Sequence, residues 1–100
     1  MKKSDSARHA IKSASTESEV IAAVREYLSS LDPREIAFLP APLMALMLSE
    51  AEEIVQSALQ LVHTALLAAR DASEAELLGD ANLVFAAAAK RLAALAKDVA

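Results

Sequence analysis

Residues 74–99 read EAELLGDANLVFAAAAKRLAALAKDV, and in this stretch Leu78, Ala81, Phe85, Ala88, Leu92, Leu95 and Val99 recur at spacings of 3, 4, 3, 4, 3 and 4. Apolar residues alternating three and four apart fall on one side of an α-helix, and the pattern is sustained over three heptads. The spacing predicts a helix over 74–98 with one continuous seam. Ser73 followed by Glu76 supplies a capping-box start after a turn at Asp71-Ala72-Ser73. Gly79 costs such a helix about 1 kcal/mol relative to alanine, which leaves fraying there, with Asp80 as a substitute cap, as the alternative to a continuous helix.

A seam needs a partner, and the preceding stretch provides one. From Leu43 to Arg70 no residue breaks a helix. Met47, Ile54, Ala58, Leu61 and Ala65 form one apolar row, and Leu48, Val55, Leu59, Val62 and Leu66 form another. Together they make a face wider than one partner helix covers. A single helix over 42–70 is expected, with Ser49 and Glu52 marking an alternative start or kink. The two long helices then form an antiparallel hairpin. Its register brings Glu53 alongside Lys90 and Arg91 and Glu50 near Lys97, each charge complementing its own helix dipole.

Two more helices precede the hairpin. Asp32-Pro33-Arg34-Glu35 places aspartate at the N-cap, proline at N1 and glutamate at N3. Pro40 limits that helix to 33–38, because proline lacks the N–H donor and disfavours helix at the residue before it. Thr16 and Glu19 form a further capping box. Val20, Val24, Tyr27, Leu28 and Leu31 then make one stripe of a helix over 17–30. Residues 1–15 carry Ile11 as their one large aliphatic side chain after Met1. Such a segment buries too little surface to offset its ordering entropy, so a disordered basic tail is expected before a bundle domain over 16–100.

The composition agrees with this division. One hundred residues fit one domain. The chain is alanine-rich, with 24 alanines and a single glycine. One glycine and three prolines cannot supply the turns of an all-β chain. The fold class is all-α: a small helical bundle of three main helices plus one short helix, closed by the C-terminal hairpin.

Charge narrows the partners. Residues 1–15 hold four basic side chains against one acidic, net +3, while the remainder holds six against thirteen, net −7. An acidic body repels phosphate backbones, so nucleic-acid binding is not expected. No stretch reaches the roughly 18–20 apolar residues that span a bilayer. The start of the chain lacks the apolar segment of a signal peptide, and cysteine is absent. A cytoplasmic location is the default expectation.

No catalytic constellation emerges. His63, on a polar stripe with Glu53, Gln56, Gln60 and Arg70, is the one histidine of the expected bundle. An exposed histidine on a helical bundle resembles the phosphoacceptor of a phosphotransfer domain. Those domains follow the histidine with lysine and glycine, whereas here the run is His63-Thr64-Ala65-Leu66-Leu67. The resemblance is one of architecture and covers no motif. Glu50, Glu52 and Glu53 lack a histidine three or four residues on, so no ferritin-type metal site is expected. Ser57 and Thr64 are wrongly spaced from His63 to form a nucleophile–base pair. No phosphate loop, nucleophile elbow or dinucleotide fingerprint is present. Neither enzyme activity nor a cofactor is expected.

Apolar surface remains. Phe38, Leu39, Leu43, Met44, Met47 and Leu48 crowd into eleven residues without a charge among them. Phenylalanine and methionine there suit an adaptable partner surface. The competing reading is that they close the bundle core. The function expected is a non-enzymatic protein-interaction or self-association module, with a homodimer as one form. A phosphotransfer-like signalling domain using His63 is the alternative, and a small apolar ligand held between helices is the third reading.

Overall fold

A computed structural model of the chain describes residues 2–40 and 53–99. Every regular element among them is a helix: α1 (Lys3–Ser13), α2 (Glu17–Ser30), α3 (Pro33–Ile36), α4 (Glu53–Leu67) and α5 (Ala72–Val99). The chain is a small all-α bundle built around α5. At about 1.5 Å per residue its 28 residues run roughly 42 Å, the full long dimension of the 43 × 27 × 21 Å molecule. Helices α1, α2 and α4 all pack on α5, and α4 does so most extensively, forming the expected hairpin with it.

The seam of α5 is the centre of the core. Leu78, Ala81, Phe85, Ala88, Leu92 and Leu95 are all buried, joined by Val84 and Leu77. Alanines at alternate seam positions let neighbouring backbones approach closely, and Phe85 is the largest fully buried side chain. The helix passes through Gly79 without interruption, as the continuous reading expects, and the fraying alternative does not occur. The start differs from expectation. Asp71, not Ser73, is the cap: its carboxylate accepts from the Glu74 N–H at 2.9 Å, and Glu74 reaches back to accept from the Arg70 N–H at 3.2 Å. The spacing is that of Ser73 and Glu76, but beginning two residues earlier adds backbone hydrogen bonds and sets a carboxylate at the positive end of the helix dipole.

Helix α2 has the expected bounds and stripe. Thr16 Oγ1 accepts from the Glu19 N–H at 3.2 Å, and Val20, Val24, Tyr27, Leu28 and Leu31 are buried. Helix α3 has a complete capping box between Asp32 and Glu35. It stops at Ile36, two residues short of expectation. The chain continues in tight i→i+3 turns, Phe38 to Glu35 and Leu39 to Ile36, the geometry available just ahead of Pro40. The described part of α4 ends at Leu67, three residues before Arg70. The continuity of the long helix across Ser49 lies outside the described residues, as do the placements of Glu50 and of the Glu53 side chain.

The largest correction concerns the N-terminal segment. Residues 1–15 were expected to be disordered, yet 3–13 form α1, lodged between α2 and α5. Ser4, Ala7, Ile11 and Ala14 are buried, and Ile11 is only 1% exposed. These four stand at spacings of 3, 4 and 3, a seam like that of α5 written in small side chains. Lys3, at the start of α1, bonds Glu35 just past the end of α2, while the end of α1 leads directly into the start of α2, so the two helices run antiparallel. Lys2 lies beside Glu76 while Ala14 lies beside Arg91, so α1 runs parallel to α5.

Candidate interaction surface

The sequence-predicted surface begins after α3. Leu39 is buried in the core, whereas Phe38 is half-buried and packs against the core's edge. Leu43, Met44, Met47 and Leu48 lie outside the described residues. The two described members therefore divide: Leu39 closes the bundle, and Phe38 keeps one side open.

Pro40 borders a feature that local sequence did not single out. With Ser57, Gln60, Leu61, Thr64, Ala65 and Ala68 it lines an open, mainly apolar groove of about 560 Å³ along the outside of α4. Among described elements α4 packs substantially only on α5. Ala58 and Val62 point into that contact and are fully buried, while Leu59, Ala65 and Leu66 are half-buried. Leu67, on the last turn, is 77% exposed, and Leu83 on α5 is 46% exposed. The signal for this groove was the excess width of the α4 apolar face. Leu67 belonged to neither apolar row and was missed.

His63 is exposed, with Gln60 and Thr64 also exposed on α4 and Arg70 exposed beyond its end. No hydrogen bond or ion pair among the described residues ties it to a base, an acid or a second histidine. Ser57 and Thr64 line the groove, but the structure brings neither to His63 as a catalytic pair. Among the described residues no three acidic or histidine side chains gather where they could hold a metal ion. None of the described helices is long and apolar enough to cross a membrane.

A second locus, unforeseen from the sequence, lies where the start of α1 meets α3 and the start of α5. Lys3 Nζ donates to Glu35 Oε1 at 3.0 Å, and Lys2 Nζ stands 3.5 Å from Glu76 and 3.8 Å from Asp80. Tyr27 is buried beside them. Its phenol pKa is pushed up from 10.0 to about 12, first by burial and then by the negative charges of Asp80 and Glu35. Within α1, Arg8 pairs with Asp5 and holds that carboxyl below its usual value. At the other end of the helix the Arg91 guanidinium donates twice to the Ala14 carbonyl, from Nε at 2.9 Å and Nη2 at 2.7 Å. The opposed charges of segment and body, read from the sequence as separate surfaces, thus meet inside one chain. Comparison with protein-family models, curated proteins and solved structures found no match to this chain.

Proposed function

We propose that this protein is a non-enzymatic interaction module that self-associates through residues 38–48 and the outer face of α4 bordered by Pro40. The observation that carries the reading is the open apolar groove on α4, with Leu67 standing 77% exposed on the last turn of the same helix. Apolar surface gathered on one helix face is a mark of association, whereas single scattered apolar residues are ordinary. A second copy of the chain is one occupant that buries such a face symmetrically; an amphipathic helix of another protein is the other.

Light scattering over a wide concentration range tests self-association directly. A mass rising from 10.5 kDa towards twice that value is expected, with Leu43→Asp or Met47→Asp weakening the association while helicity survives. Association unchanged by both substitutions would remove this surface, and a constant monomer mass would remove self-association. The phosphotransfer reading is favoured only by the exposure of His63. Incubation with acetyl phosphate followed by phosphohistidine detection decides it, and the expected result is an unlabelled His63.

A further inference from the structure

Helix α1 is held differently from the others. Its N-cap residue, Lys2, makes no side-chain capping bond. Lys2 and Lys3 sit at the positive end of the helix dipole, where a cation is unfavourable. An eleven-residue helix without a side-chain cap, whose starting lysines offset the favourable charge of Asp5, does not persist alone in water. Docking must therefore maintain it: three small side chains and Ile11 on the core side, three surface ion pairs at one end and the Arg91 bonds at the other.

We infer that α1 is a releasable clasp: it lifts from the groove between α2 and α5 as a unit, ahead of global unfolding, and ionic strength sets how often it does so. The lysines that weaken α1 as an isolated helix are the ones that reach Glu35, Glu76 and Asp80, so attraction to the acidic body replaces the missing cap. Exposed pairs of this kind are each worth about a factor of two and are screened by salt. Three together set the docking equilibrium within about tenfold. Release takes Ile11 out of the core and opens the α2–α5 groove, leaving the α4–α5 hairpin untouched. This clasp is independent of the α4 surface proposed above.

Native-state hydrogen exchange on the full chain tests the inference. Amide protection over 7–13 is read against that of 84–95 while sodium chloride rises from about 50 mM to about 1 M, where the Debye length falls to roughly 3 Å. The expected result is a loss of protection in α1 of about tenfold with α5 unchanged. The Lys2→Gln, Lys3→Gln chain, altered at two exposed positions, should show that loss already at low salt and no further loss at high salt. Equal opening of α1 and α5, or α1 protection indifferent to salt in the unaltered chain, overturns the clasp.

Discussion

Helices α1 and α2 lie side by side, antiparallel, eleven and fourteen residues long, and they are helical for different reasons. In α2 the cap, the acidic first turn and a stripe of large apolar side chains all agree, so the segment specifies its own conformation before it meets anything. In α1 the local support is confined to Asp5 in the first turn, its pair with Arg8, and Lys12 in the last turn. Its conformation is supplied by the groove it occupies. Neighbouring helices of nearly equal length can therefore stand at opposite ends of the range from locally encoded to tertiary-imposed structure.

Truncating the core should separate the two most strongly. Phe85→Ala, at the centre of the seam shared by all packed helices, is expected to cost about 3–5 kcal/mol in chemical denaturation, against about 2 kcal/mol for Ile11→Ala. The second loss is bounded, because a helix that can undock withdraws no more than its own docking energy. Equal losses would erase the distinction between the two helices.

The single tyrosine sharpens the comparison from the α2 side. With the Tyr27 pKa raised from 10.0 to about 12, the folded chain keeps a proton that the unfolded chain loses in that interval. The stabilisation is complete below pH 10 and is lost as pH rises towards 12. Tyrosinate absorbance should therefore appear near pH 12 in the unaltered chain. In Ile11→Asp, which displaces α1 from the groove it shares with Tyr27, the titration should move back towards 10. An unchanged titration would mean that α1 does not shield the phenol.

Smaller effects follow at the helix ends. Thr16→Ala removes the α2 cap and should cost about 1 kcal/mol. Ser13→Ala, at the last residue of α1, should be nearly neutral by the same thermal or chemical denaturation. At Gly79 a Cβ would meet nothing within 4 Å. Gly79→Ala should accordingly stabilise the chain by about 0.5–1 kcal/mol, since the uninterrupted helix there, with no positive φ at Gly79, asks nothing of glycine.

What could be read in the sequence follows the same division. The α5 seam, the α2 stripe and the Asp32-Pro33 start were legible because large apolar side chains and caps mark them. Helix α1 was not, because its seam consists of Ser4, Ala7, Ile11 and Ala14, and small side chains add little to a hydrophobicity pattern even when their spacing is helical. That 3, 4, 3 spacing was the available signal. The Asp71 cap was missed because Ser73 and Glu76 repeat its spacing two residues later, and propensity alone does not choose between them. Of the candidate surface, only Phe38 and Leu39 could be placed, and they divided between rim and core. Leu67 carried no local mark, since its exposure depends on where α4 ends and on which neighbours it has.

The paired bonds from Arg91 to the Ala14 carbonyl have a mechanical consequence. They fasten the junction between α1 and α2 to the C-terminal third of α5, so α1 is a lever hinged at one end with its load at the other. At about 1.5 Å per residue the arm is roughly 17 Å, and a tilt of about 20° carries its tip some 6 Å. That travel exceeds the reach of any of the three lysine contacts. A rotation at the fulcrum therefore strains all of them together, and Arg91, far from the lysines, shares in holding them.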